Sequence, residues 1–183
     1  MAGSGTSLIE EAFPFVAASE AAAREKTLRA GHPSTLHPWF GRRPVGLCRA
    51  ILHAQLVRDP GPAGRKDALD PTAEVAEYGE GSNYETMDRA RRARGGGRKP
   101  RFVDPYCGGG SIPLAARQID LDVSAGDINP LAVLLTEAVA GIPTRFNFGG
   151  GAGKHALLYA FSKARDAYAR ELTDSTTIQM TPD

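Results

Sequence analysis

The chain has 183 residues, and its 22 basic and 21 acidic side chains leave a formal net charge of only +1 at pH 7. This length suits one hydrophobic core and is short for a cofactor fold joined to a second domain that recognises a target. The sequence has no apolar run near the roughly 20 residues that cross a bilayer, and no signal-peptide pattern. Two cysteines are too few for a disulfide framework or a zinc site. We expect one cytoplasmic domain without a metal, and the near-zero charge argues against a generic nucleic-acid binder.

The N-terminal part of the chain predicts helices. An alanine-rich stretch between Ala17 and Ala23 favours the first of them. After Pro44, apolar residues recur at helical spacing, from Val45 through Cys48 to Leu56, which predicts a second helix with one buried face.

Residues 59–100 have an uneven charge pattern. Acids without bases occupy Asp67 to Glu85, and a basic run follows between Arg89 and Arg101. With few apolar residues to bury, this stretch predicts a mobile insertion. The favoured interpretation of the basic run is a solvated, charge-compensated loop, and the alternative is contact with DNA phosphates.

The order strand, glycine loop, helix, strand, acid is the most informative pattern. Phe102 and Val103 predict a short strand that ends at Asp104, and the glycines at 108–110 let a ligand approach the backbone closely. Ser111 is expected to cap the next helix, with Pro113 in its first turn.

A second predicted strand, from Leu121 to Ala125, leads to Asp127, about 20 residues beyond the glycines, where a carboxylate can bind both hydroxyls of a ribose. The alternative is that Asp127 only caps the following turn. Asn129 is expected to cap a buried helix that stops at Gly141. Alternating strands and helices predict an α/β fold with a parallel sheet. The loop has neither the dinucleotide spacing nor the Gly-Lys-Ser/Thr of a phosphate loop, so the ligand should be less anionic than a pyrophosphate.

Two motifs carry a family resemblance. The run Asp104-Pro-Tyr-Cys-Gly-Gly-Gly-Ser111 resembles motif I of amino-methylating DNA methyltransferases, which bind S-adenosylmethionine. The segment from Ala23 through Gly31-His-Pro-Ser-Thr-Leu-His37 to Pro44 is similar to the N-terminal region of large adenine-specific DNA methylases, some of them encoded in phage-defence clusters. The resemblance covers about Leu8 to Phe146.

The resemblance implies a partial Rossmann-like class I methyltransferase fold with an N-terminal helical segment, and S-adenosylmethionine as cofactor. Asp127 would hold the ribose, and Ile128 would pack on the adenine. The implied cofactor-binding residues are Asp104, Pro105, Cys107, Gly108, Gly109, Gly110, Asp127, Ile128, Asn129, His32 and Pro33.

Other readings of these residues are weaker. His32 and His37 lack partners at metal-ligand spacing, so we predict a packing or cofactor-lid role. Trp39 and Phe40 are more often core residues than base-stacking platforms. Cys107 has no base placed by the sequence to activate it, so we do not expect a nucleophile.

The sequence has no Asp/Asn-Pro-Pro-Tyr/Phe tetrapeptide, which in such enzymes binds the exocyclic amine of a flipped base. We therefore assign no catalytic residue. We expect residues 1–148 to be the cofactor-binding half of the domain, and 149–183 to be a linker and a truncated C-terminal helix. DNA would bind through a downstream region or a complementing polypeptide. The alternatives are a non-catalytic cofactor-binding or interaction module and, less favoured, an oxidoreductase that binds NAD.

Overall fold

A computed structural model of the chain describes residues 5–28, 32–35, 37–79, 83–95 and 98–145. They form a mixed α/β fold with mostly helices and a small sheet. The helices are α1 (Leu8–Glu11), α2 (Phe15–Thr27), α3 (Val45–Leu56), α4 (Arg65–Glu74), α5 (Tyr84–Ala93), α6 (Ser111–Gln118), α7 (Pro130–Thr136) and α8 (Ile142–Arg145), and the strands are β1 (Arg101–Asp104) and β2 (Asp122–Ala125).

The two strands pair in parallel, and α6 is the crossover between them. Phe102 of β1 is opposite Val123 of β2, and both pack against the core. Val103, on the other face of the pleat, is 64% exposed. The predicted strand–helix–strand unit with a parallel sheet is therefore confirmed. The partial Rossmann-like methyltransferase fold that the resemblance implies is more specific than a two-stranded sheet and stays a prediction.

Helix α3 is central to the packing, since it contacts α1, α2, α4 and α6. Small side chains dominate this core: Ala18 and Ala21 of α2, Ala50 of α3 and Ala116 of α6 are almost completely buried. Alanine at helix contacts lets the axes approach closely, because interaxial distance depends on the side chains between them.

A buried arginine ties these elements together. The Arg49 guanidinium, on α3, donates to the carbonyl oxygens of Val75 at 2.8 Å and Glu77 at 2.7 Å, and to Gln118 Oε1 at 2.7 Å. Burial lowers the pKa of Arg49 to about 10, so the group stays charged at neutral pH. Hydrogen bonds from Arg49 thus connect α3 to the residues after α4 and to the end of α6.

Within the mobile insertion expected over about 59–100, the structure has two helices. Residues 65–74 and 84–93 form α4 and α5, and their surroundings reach the core through Val75, Ala76, Met87 and Ala90. The stretch is poor in apolar residues on average, but those it has are buried together, which is the condition for order. The domain boundaries themselves stay a prediction.

Two further details correct the sequence-based expectations. Gly110, and not Ser111, is the N-cap of α6, although Pro113 lies in its first turn as expected. The helix expected to stop at Gly141 continues as a π-helical turn, Glu137–Gly141, and then as α8. It is also only partly buried, because Val133 is 43% exposed.

The predicted linker at Gly149–Gly151 and the predicted helix from His155 to Leu172 lie outside the described residues. Cys48 and Cys107 are both free and buried. Within the residues that the structure describes, no helix combines the length and apolar character that crossing a bilayer requires.

Candidate functional site

The site predicted from the sequence lies where both parallel strands end. Beyond the strands, Gly126 N–H donates to the Asp104 carbonyl at 2.8 Å, and Cys107 N–H donates to the Gly126 carbonyl at 2.9 Å. These bonds continue the ladder into the glycine loop, residues 107–110. Asp104 and Asp127 therefore meet at one edge of the sheet, as the carboxyl ends of parallel strands must.

Asp127 is fixed by the loop that it faces. Its Oδ2 accepts from Gly108 N–H and its Oδ1 from Asn129 N–H, both at 2.9 Å. The backbone N–H groups of Asn129 and Gly108 lower the pKa of Asp127, so the carboxyl is ionised at neutral pH. A carboxylate has about four lone-pair positions, so acceptor capacity remains for hydroxyl donors of a ligand.

Asp104 has an unsatisfied oxygen. Its Oδ1 accepts from Tyr106 N–H at 3.1 Å. Its Oδ2 is buried and has no hydrogen-bond partner among the described residues. A buried carboxylate oxygen without a partner is costly, so this atom marks a place where a donor or a cation would be stabilised. Pro105, next in the chain, is exposed.

Helix α7 supports the loop from one side. Gly110 has φ of +81°, and a Cβ there would lie 2.7 Å from Val139 Cγ2 and 2.9 Å from Thr136 Cα. Thr136 Oγ1 donates to the Gly108 carbonyl at 3.2 Å. The structure therefore requires glycine at position 110, because the backbone φ is positive there and because the helix approaches too closely for a side chain.

Trp39 packs against the first two glycines of the loop. A Cβ at Gly108, where φ is +49°, would lie 2.8 Å from Trp39 Nε1, and one at Gly109 would lie 3.0 Å from Trp39 Cβ and Cγ. Sequence reasoning missed this contact. Three successive glycines indicate that another group approaches the backbone closely, but the sequence does not say whether that group is a ligand or a side chain.

Cys107 is the first residue of the loop. Its thiol is buried, and burial raises its pKa, so the nucleophilic thiolate is disfavoured. It borders a cavity of about 200 Å³ that Arg117, Val123, Thr136 and Glu137 also line. Small-molecule sites typically enclose about 300–1,000 Å³, so this cavity by itself is too small to be the cofactor site.

Exposed apolar side chains flank the loop in sequence. Ile128, directly after Asp127, is 97% exposed, and Tyr106, directly before Cys107, is 82% exposed. Asn129 accepts from Leu131 N–H at 3.0 Å and caps α7, so the predicted cap is confirmed. Large apolar side chains held in water beside such a loop are typical of a binding surface.

His32 lies in a buried polar cluster. Its side chain is 2% exposed, and its Nε2 is 2.9 Å from Glu25 Oε1. The other ring nitrogen is 2.9 Å from Ser34 Oγ, and the ring lies 4.5 Å from that of Tyr78 between centroids. Both nitrogens are engaged, so the position suits the predicted packing role. Pro33 begins a 3₁₀ turn, Pro33–Thr35, beside it.

Glu25 in turn holds the start of α3. Its Oε1 accepts from Val45 N–H at 2.7 Å, and its Oε2 accepts from Gly46 N–H at 2.9 Å. Burial opposes ionisation, but the hydrogen bonds from His32 and from these backbone groups outweigh it and lower the pKa of Glu25. An ionised carboxylate at a helix N-terminus is stabilised by the helix dipole.

Three of the seven basic side chains between Arg89 and Arg101 form ion pairs with acids. Arg89 forms an ion pair with Glu74 at 2.5 Å, Arg92 pairs with Asp88, and Lys99 pairs with Asp120 at 2.5 Å. These pairs neutralise part of the charge that contact with DNA phosphates would use. The pattern favours the charge-compensated interpretation.

Comparison with known proteins adds one match. Residues 12–80 are similar to a family described as "Protein of unknown function (DUF1156)". The matched part contains α2 to α4, His32 and Trp39, and it ends before the glycine loop. No curated protein and no solved structure matches the chain significantly. Among the described residues, no group of three or more His, Cys, Asp or Glu side chains could hold a metal ion.

Proposed function

We propose that this chain is the S-adenosylmethionine-binding part of a DNA methyltransferase that acts on the exocyclic amine of adenine. The observation that carries the proposal is the pair Asp104 and Asp127 at one sheet edge, with the glycine loop between them and Gly108 N–H bonded to Asp127. A carboxylate at the end of the second strand is the position from which ribose hydroxyls are bound in such βαβ units.

The charge at this edge favours a cationic ligand. Two carboxylates border the loop, and one oxygen of Asp104 is buried without a partner in the described part of the chain. S-adenosylmethionine has a positive sulfonium and an ammonium group, whereas NAD has an anionic pyrophosphate. Like charges repel, so the second carboxylate, Asp104, disfavours a pyrophosphate beside the loop, whereas Asp127 alone would suit either ligand.

The residues present fit the cofactor. Asp127 would accept from the ribose, the exposed side chain of Ile128 would cover the adenine, and Asp104 would lie beside the amino-acid end. When bound, the cofactor supplies a methyl group on a positively charged sulfur. This chain's residues would bind and orient it, because such a transfer needs alignment more than acid or base help. For the fold, the proposal is a partial Rossmann-like methyltransferase fold. For the location, it is the cytoplasm.

The proposal that adenine in DNA is the substrate rests on the resemblance of Asp104-Pro-Tyr-Cys-Gly-Gly-Gly-Ser111 to motif I of DNA amino-methyltransferases. The sequence lacks the Asp/Asn-Pro-Pro-aromatic tetrapeptide, so methyl transfer would need a polypeptide that contains it. This lack favours a second candidate, a non-catalytic cofactor-binding or interaction module. The two differ in whether methyl groups reach adenine in DNA.

The test is isothermal titration of the purified chain with S-adenosylmethionine, S-adenosylhomocysteine and NAD. We expect micromolar affinity for the first two and none for NAD. A folded sample that binds neither of the first two contradicts the proposal, and one that prefers NAD supports an oxidoreductase. Incorporation of labelled methyl groups into adenine, after addition of a polypeptide with the tetrapeptide, separates the methyltransferase from the binding module.

A further inference from the structure

A turn with an exposed aromatic side chain follows Trp39. Phe40 and Gly41 form this turn, and Gly41 has φ of +65°. The Phe40 side chain is fully exposed, so the core position that the sequence favoured for it is wrong. Trp39 is half-buried, because it packs against Gly108 and Gly109. For Phe40, the remaining interpretation is that of a base-stacking platform.

The turn is close to the glycine loop because it directly follows Trp39. Consecutive Cα atoms are about 3.8 Å apart, so Phe40 begins beside a residue that contacts the loop. A Cβ built on Gly41 meets no atom within 4 Å, so the turn has open space on that side. A macromolecule at the glycine loop is therefore within reach of the turn.

The chain around the turn has no acidic residue. Between Glu25 and Asp59 the sequence contains six Lys or Arg residues and no Asp or Glu. Arg42 is half-buried and is attracted by Glu25, whereas Arg43 is exposed. Arg43 forms no ion pair with any residue that the structure describes. The charge of Arg43 is thus available to a partner, whereas acids compensate part of the basic run at 89–101.

An exposed ring close to an uncompensated arginine suits unstacked nucleic acid, since proteins bind it with cations for the phosphates and aromatic rings for the bases. From this arrangement we propose that the turn is a DNA contact, in which Phe40 stacks on an unstacked base and Arg43 binds a phosphate. The choice of DNA rests on the proposed function. An enzyme that modifies the exocyclic amine of a base takes that base out of the stack, which frees base faces for such a contact. We expected DNA to bind through a downstream region or a second polypeptide, and this surface adds a contact on the chain itself.

Fluorescence anisotropy with two labelled oligonucleotides tests the stacking contact. The probes are a DNA single strand and the same sequence as a fully paired duplex. We expect the wild-type chain to bind the single strand with a Kd between about 1 and 100 μM, as in non-specific binding. Phe40→Ala should weaken single-strand binding by about tenfold, the order of one lost stacking contact, and should change duplex binding much less. Phe40→Tyr keeps an aromatic ring and should bind like the wild type.

Salt dependence tests the phosphate contact. Each neutralised phosphate of a single strand adds about 0.7 to the slope of log K against log salt, so Arg43→Ala should lower the slope by about that amount. The control for Arg43 is Arg98→Ala, an exposed position in the basic run. The control for Phe40 is Phe15→Ala, which is 72% exposed and lies about 15 Å before Glu25 along α2. Neither control should change the affinity or the slope by a comparable amount.

Titration of the same samples with S-adenosylhomocysteine tests the proposed function separately. A chain that binds this ligand but no DNA overturns the contact and leaves the cofactor site in place. Wild-type affinity of Phe40→Ala for the single strand, or an equal loss for both probes, overturns the stacking contact. A lower slope in Arg98→Ala and not in Arg43→Ala moves the phosphate contact to the basic run. A chain that binds DNA through Phe40 and Arg43 but no cofactor keeps the contact and overturns the proposed function.

Discussion

The Asp127 carboxylate lies 2.9 Å from the backbone nitrogen of Gly108, so the end of β2 is bonded to the loop that follows β1. The two residues are 19 positions apart in the chain. One acid thus has two tasks in the proposed site, because it fixes the loop and keeps acceptor capacity for a ligand.

Replacement of Asp127 by asparagine should weaken S-adenosylmethionine binding by about tenfold or more, because the amide has one acceptor oxygen for the backbone and the ribose together. Isothermal titration measures the effect. Asp122→Asn is the control, since Asp122 is exposed at the opposite end of β2. Equal affinity of the Asp127 variant and wild type would remove Asp127 from the cofactor site.

Gly110→Ala should destabilise the fold by about 1–3 kcal/mol, since overpacking and a strained backbone angle each cost about that much. The reason is the φ of +81° together with a Cβ only 2.7 Å from Val139 Cγ2. Urea denaturation measures the change. Gly126→Ala is the control, because a Cβ there meets nothing within 4 Å. If both variants are equally stable, α7 does not pack on the loop as described.

Arg49→Met should lower the free energy of unfolding by roughly 3 kcal/mol, as expected when a buried charged donor leaves its acceptors unpaired. The carbonyls of Val75 and Glu77 and the Gln118 amide lose their donor. Thermal and urea denaturation test this prediction against Arg43→Met, since Arg43 is exposed on the same approach to α3. A small, equal effect of the two substitutions would show that Arg49 does not hold α3 to its neighbours.

His53 should make the fold less stable in mild acid. It is 2% exposed, its Nε2–H donates to the Ala90 carbonyl at 3.2 Å, and burial lowers its pKa from 6.5 to about 4. The folded state therefore keeps the imidazole neutral in a range where the unfolded chain binds a proton. The part of the free energy of unfolding that depends on a neutral His53 is therefore fully present above about pH 6.5 and is lost as the pH falls toward 4.

Between pH 7 and pH 5.5 the loss from His53 is about 1 kcal/mol. Urea denaturation at the two pH values measures it. The variant His53→Gln should lack this part of the pH dependence, whereas His37→Gln, at an exposed position, should keep it. A pH dependence in His53→Gln that matches wild type would contradict the assignment.

Local rules were enough for the elements around the site. The predicted strand at Phe102 and Val103, the crossover helix with Pro113 in its first turn, and the Asn129 cap all depend on residues close in sequence. The expectation of a mobile insertion at 59–100 did not anticipate the helices α4 and α5. Average composition does not reveal that Val75, Ala76, Met87 and Ala90 are all directed into one core.

The sequence by itself determined the order of strand, glycine loop, helix, strand and acid, because backbone preference, capping and periodicity act over a few residues. Only the tertiary structure decided that Trp39 lies on Gly108 and Gly109, and that Arg49 reaches Gln118, 69 residues away. Such contacts depend on how whole helices pack, and many pairings are compatible with the same local pattern. The glycines led us to expect a loop that a ligand approaches. The long-range contacts show that Trp39 packs against the same loop.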